Sequence, residues 1–160
     1  MMFVVVDTNV PVVANNKSSQ ALPECVIKCV TVLDKIQRDR ILVIDDKWLI
    51  ITEYRKNLSE KGQPGVGDAF LKWVLTNQGN PQRCQRVQIT PIDENNFAEF
   101  PQDESLAGFD KSDRKFVAVA LTHPQKPPIL NAVDSDWQDF QVQVAAYGVQ
   151  VEFVCGSLTK

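Results

Sequence analysis

Apolar and polar positions divide this chain into short, uniformly apolar runs and longer stripes of helical period. Phe3-Val4-Val5-Val6 is continuous, with three β-branched residues, and leads straight into Asp7-Thr8-Asn9. A run so short predicts a strand buried on both faces, the central strand of a parallel sheet. Ile41 to Ile44 and Ile129 to Val133 read the same way. Val87 to Thr90 reads as a strand by alternation, and Val149 to Val154 alternates enough to be an edge. Helical stripes lie between them. Ala21 to Arg40 places Leu22, Val26, Cys29, Val30, Leu33 and Ile36 on one face. A helix capped by Asp45 or Asp46 has Trp48, Ile51, Tyr54 and Leu58 as its apolar face and contains Glu53. Further helices are expected over about Asp68 to Thr76, Phe109 to Leu121 and Trp137 to Tyr147. Asp110 and Asp113 open the second of these in a capping-box-like spacing. Pro91 to Leu106 is acidic and reads as loop. The order β-α-α-β-α-α-β-α-β-α-β predicts an α/β fold, a three-layer α/β/α sandwich around a mostly parallel sheet. With 160 residues and no repeat, a single domain over 1–160 is expected.

The strand ends carry the chemistry. Open α/β sheets bind ligands outside the carboxyl edge of their strands. Asp7 follows the first strand; Asp134 and Asp136 follow the fourth. Asp113 opens a helix and Glu53 lies inside one, both near the same edge if the strands are parallel. Taken singly, each acid also reads as a turn residue, a cap or a solvated charge. Together they point elsewhere, because two carboxylates at about 4 Å repel by roughly 4 kcal/mol at an effective dielectric near 20. Such a cluster needs raised pKa values or a bound cation. All-oxygen ligands select hard divalent ions, Mg²⁺ or Mn²⁺, and a pair of those ions is a device for phosphodiester hydrolysis.

The ordered set Val5-Val6-Asp7-Thr8-Asn9, Glu53 in its helix, Asp110-Lys-Ser-Asp113-Arg-Lys-Phe-Val-Ala-Val-Ala and Val133-Asp134-Ser135-Asp136-Trp137 resembles the PIN-domain family over nearly the whole chain. The resemblance implies a metal-dependent endoribonuclease acting on single-stranded RNA, in one branch the toxin of a toxin–antitoxin pair. Carried over, Asp7, Glu53, Asp113 and Asp134 would be catalytic metal ligands for Mg²⁺ or Mn²⁺. Asp136 would stand beside the last of them, and Thr8 and Asn9 would orient Asp7 or a water. The implied partners are single-stranded RNA and, in the toxin branch, an antitoxin protein, with a homodimer allowed. Two alternatives remain: a catalytically inactive PIN-like module that binds RNA or protein, and a phosphoreceiver domain built on Asp45 and Asp46.

Net charge of −3 gives no global positive field toward nucleic acid. Arg114 and Lys115, beside Asp113, read either as phosphate contacts or as a solvated helix face; Arg83 and Arg86 read the same two ways. Trp48, Trp73 and Trp137 read as packing or as base-stacking surfaces. Cys25 and Cys29, four apart, fit half a metal site or, better, two small core residues. No secretory signal and no membrane-spanning run is visible, so a reducing cytoplasm is expected.

Overall fold

The computed structural model describes residues 2–156. Its centre is a five-stranded sheet built from β1 (Phe3–Val6), β2 (Ile41–Asp45), β3 (Cys84–Val87), β6 (Ile129–Asn131) and β7 (Val151–Phe153), in the order β3-β2-β1-β6-β7. All four pairings are parallel, with Phe3 opposite Ile41, Val5 opposite Ile129, Leu42 opposite Cys84 and Ile129 opposite Val151. The helices are α1 (Asn9–Ala14), α2 (Pro23–Asp39), α3 (Leu49–Asn57), α4 (Val66–Asn77), α5 (Arg114–Thr122), α6 (Ser135–Asp139) and α7 (Gln141–Ala145). Mutual contacts join α1, α2 and α4, while α5 packs on β1, β2 and β6, giving the expected three-layer sandwich. Val5, Val6, Leu42, Val43 and Ile129 are wholly buried, as central parallel strands require.

Two local devices hold the layers in register. Asp45, at the end of β2, accepts the backbone N–H groups of Lys47, Leu49 and Ile50, so of the two caps the sequence offered, Asp45 and Asp46, it is Asp45 that holds the start of α3. Gly67, in the first turn of α4, lies so close to α1 that a Cβ there would sit 2.0 Å from the Pro11 carbonyl oxygen. Only glycine fits that contact.

Several elements differ from the sequence reading. The third strand is Cys84–Val87, three residues earlier than Val87 to Thr90, because its pairing with β2 sets its position. The acidic stretch from Pro91 to Leu106 contains a small antiparallel hairpin, β4 (Pro91–Asp93) with β5 (Asn96–Phe97), and a 3-10 turn at Glu104–Leu106. The helix expected from Phe109 starts as a 3-10 turn, Lys111–Asp113, and becomes α-helical at Arg114. Asp110 caps that turn by accepting the Ser112 N–H, in place of a capping box with Asp113. Trp137 to Tyr147 is divided at Phe140 into α6 and α7. Leu22 and Trp48 leave their predicted apolar faces: Leu22 is exposed ahead of α2, and Trp48 is exposed at positive φ ahead of α3.

Cysteine pairing is the largest departure. Cys25 and Cys155 form a disulfide across 130 positions of sequence, tying α2 to the segment after β7. Cys29 lies beside it, its Sγ 4.0 Å from that of Cys155. Cys29 and Cys84 are free, buried core residues, and burial pushes both thiols up to about 12. No helix among the described residues is long and apolar enough to cross a membrane.

Candidate metal centre

Strand order fixes where a site belongs. The chain moves outward from β1 through β2 to β3, then returns to the other side of β1 with β6. The order reverses between β1 and β6, and the crevice at their carboxyl ends is the place such sheets use for ligands. Asp7 follows β1, and Asp134 lies three residues beyond β6. Asp113 arrives at the N-terminus of α5, which packs over both strands. One carboxylate oxygen from each of Asp7, Asp113 and Asp134 lies within 4.8 Å of the other two.

Each acid is held differently. Asp7 is buried, and both its oxygens have donors: the Asn9 N–H reaches Oδ1 at 2.9 Å and the Trp137 indole N–H reaches Oδ2 at 2.8 Å. Asp134 is half-buried and accepts the Asp136 N–H at 2.9 Å, the cap of α6. Asp113 is buried, and its Oδ2 has no hydrogen-bond partner. Burial raises the Asp7 carboxyl to about 7, against the lowering effect of its two donors. The charges of Glu53 and Asp134 add to the rise. Burial, followed by the charges of Asp7 and Asp134, raises Asp113 further, to about 10. A buried carboxyl oxygen without a donor, in a residue clustered with two more carboxyls, leaves an electrostatic deficit that a proton or a bound cation can offset.

Glu53 stands beside the cluster with partners of its own. Its Oε1 accepts from Lys115 Nζ at 2.7 Å and its Oε2 from the Thr8 hydroxyl. Thr8 therefore contacts Glu53, not the Asp7 carboxyl. Asn9 does what was expected through its backbone, and its side chain does more. Its amide donates to Asn131 Oδ1 at 2.7 Å and its Oδ1 accepts the Ala132 N–H at 2.7 Å. Asn131, wholly buried at the end of β6, donates to the Asp134 carbonyl and accepts the Asp134 N–H. The sequence reading passed over Asn131. An amide inside the apolar run Ile129 to Val133 was the visible clue, since a buried amide must have partners. Asp136 lies outside the cluster; its Oδ2 accepts the Asp110 N–H at 3.0 Å, bracing α6 against the turn before α5.

Neither cation beside Asp113 is arranged for substrate. Arg114 is buried, with its guanidinium 4.6 Å above the Phe100 ring and donating to Asn96 Oδ1 and the Ala107 and Phe109 carbonyls. Lys115 is buried and bonds Glu53 and the Ser112 carbonyl. Both readings offered for them, phosphate contact and solvated face, give way to internal packing. Arg83 donates to the Arg38 carbonyl, and Arg86 to Gln78 Oε1. Trp137 is core and Trp73 is half-buried against Phe70, whereas Trp48 is exposed, three residues past the carboxyl end of β2. The commitment of both Asp45 oxygens to capping also leaves little for the phosphoreceiver alternative, where Asp45 would hold metal.

Comparison with known proteins gave no match: no family model, no curated protein and no solved structure is similar to this chain.

Proposed function

We propose that this protein is a PIN-like, divalent-metal-dependent endoribonuclease that hydrolyses single-stranded RNA. The observation that carries the reading is the convergence of Asp7, Asp113 and Asp134 from three separate segments, with Asp113 Oδ2 lacking any donor. Hard oxygen donors suit Mg²⁺ or Mn²⁺, and these three acids would hold the ion. When bound, it would neutralise charge on a phosphodiester and acidify the attacking water. The chain's own contribution is position. The Asn9 N–H and the Trp137 indole fix the Asp7 carboxylate, Asn9 and Asn131 fix the spacing of the two strand ends, and burial of Asp7 and Asp113 keeps bulk water from their inner sides. Asp134 is half-buried, so of the three acids it is the one within reach of solvent and of a phosphate backbone. Trp48 offers an exposed aromatic face on the same rim for stacking on an unpaired base.

This reading expects the protein in the cytoplasm with its RNA substrate; the Cys25–Cys155 disulfide is the feature of the structure that a reducing compartment would open. A toxin role, with an antitoxin protein as partner, is the form of the reading that the PIN resemblance favours.

Cleavage of a mixed single-stranded RNA tests it. The expected outcome is Mn²⁺- or Mg²⁺-dependent cleavage leaving 5′-phosphates, abolished by EDTA. Asp7→Asn, Asp113→Asn and Asp134→Asn should each slow it at least ~100-fold, since each removes a negative ligand while keeping shape. Cleavage that survives EDTA or Asp7→Asn would overturn the proposal.

A further inference from the structure

Three acids form the cluster, so a second ion would call on a fourth carboxylate, and Glu53, the one that stands beside it, has a different cation. Lys115 Nζ sits 2.7 Å from Glu53 Oε1, with only 9% of the lysine side chain exposed. The Ser112 carbonyl holds the same ammonium, and the Thr8 hydroxyl holds the second Glu53 oxygen. We infer that Lys115 is a resident cation that stands beside Glu53 where a second divalent ion would bind, so the centre takes one divalent ion, on Asp7, Asp113 and Asp134. This rests on the metal-dependent reading above and specifies the ion count of that site.

Two observations and the electrostatics of the pair support it. Lys115 lies two residues after Asp113, so the opening of α5 delivers a metal ligand and a fixed positive charge to the same rim. The pair is set close to the cluster, because Thr8, next to Asp7, holds Glu53, and the carbonyl of Ser112, next to Asp113, holds Lys115. An ammonium held at ion-pair distance from Glu53 repels any divalent ion approaching that carboxylate, and burial weakens the screening of that repulsion. Lysine suits the position because its charge is compact and its stem reaches across from α5. Lys115 is thus a positioning residue. It holds Glu53 in the ion pair and keeps the four-carboxylate rim from needing a second metal.

Counting bound Mn²⁺ on the full chain tests this without reference to activity. Free Mn²⁺ is followed by paramagnetic resonance during titration, and fold is checked by circular dichroism. Wild type is expected to bind one ion, Lys115→Met two, and Lys115→Arg one. Mn²⁺ should also raise the melting temperature of Lys115→Met more than that of wild type, because the freed Glu53 gains a partner. The double variant Glu53→Gln/Lys115→Met, which removes both charges of the pair, should keep the count at one with affinity changed by less than threefold; it carries the test even if Lys115→Met alone fails to fold. Two ions on wild type, one on a folded Lys115→Met, or two ions or none on the double variant each overturn the inference while leaving a metal-dependent nuclease intact. No ion on wild type overturns both.

Discussion

The Trp137 indole N–H donates to Asp7 Oδ2 at 2.8 Å, across 130 positions of sequence. Trp137 is wholly buried and meets the Phe109 ring edge-on at 5.1 Å. The orientation of the first strand's acid is therefore set by a core side chain from α6. Trp137→Phe keeps most of the ring's bulk and removes the donor. It should lower stability by ~1–3 kcal/mol, as expected for loss of a hydrogen bond to a charged group. It should also weaken Mn²⁺ binding by roughly tenfold, the usual effect of losing a group that orients a ligand. Urea unfolding and calorimetric titration measure the two effects separately; unchanged Mn²⁺ affinity would mean that Asp7 is oriented by other contacts.

The raised carboxyls predict how metal-free protein responds to pH. Folded values of about 7 for Asp7 and about 10 for Asp113 exceed the ordinary 3.8. The folded state binds these protons more tightly than the unfolded chain does. The resulting stabilisation is complete at pH values below the ordinary carboxyl range and is lost as pH rises through the folded values. Asp46 and Asp68 are shifted the other way, so their contribution is lost only as pH falls through the acid range. In EDTA, the melting temperature should fall by at least ~5 °C between about pH 5 and about pH 8. Saturating Mn²⁺ should reverse the fall at the upper end. A flat profile in EDTA would show that the acids do not carry these shifts.

Arg114 should matter for folding and not for RNA. Arg114→Ala removes the stacking on Phe100 and three oxygen partners, and should cost ~1–3 kcal/mol in chemical denaturation. Arg114→Lys should not restore it, because a lysine lacks the planar fork. The folded fraction of either variant should cleave RNA at close to the wild-type rate.

Thiol counting in denaturant should find two free cysteines in oxidised protein, Cys29 and Cys84, and all four after reduction. Closing a long loop should make the oxidised form more stable than Cys155→Ser by ~2–4 kcal/mol. Equal denaturation midpoints in oxidising and reducing buffer would argue against the bond in solution.

What the chain disclosed beforehand was local. Apolar runs too short for helices located β1, β2 and β6, and the acids that end two of those runs located the rim. Asp45 could be recognised as a cap because the helix it starts lies immediately after it. What stayed hidden depends on partners far away in sequence. The position of β3 is set by pairing with β2, and Cys84 to Val87 has no alternation of its own. The Cys25–Cys155 bond and the Glu53–Lys115 pair join segments 130 and 62 positions apart. Lys115 looked solvated because a lysine two residues into a helix usually is; its burial follows from where Glu53 is delivered by another helix.

The reversed strand order bears on how the chain is made. β1 emerges first and finds β2 early, but its other neighbour, β6, ends at residue 131. Until residues 113 to 137 have been made, Asp7 has neither the Trp137 indole nor Asp113 and Asp134 beside it. On the nuclease reading proposed above, a growing polypeptide would pass the messenger and the ribosome without an assembled acid cluster. The cluster forms only when the segment carrying Asp134 and Trp137 docks beside the first strand, so the pairing of β1 with β6 is also the step that assembles the acid cluster.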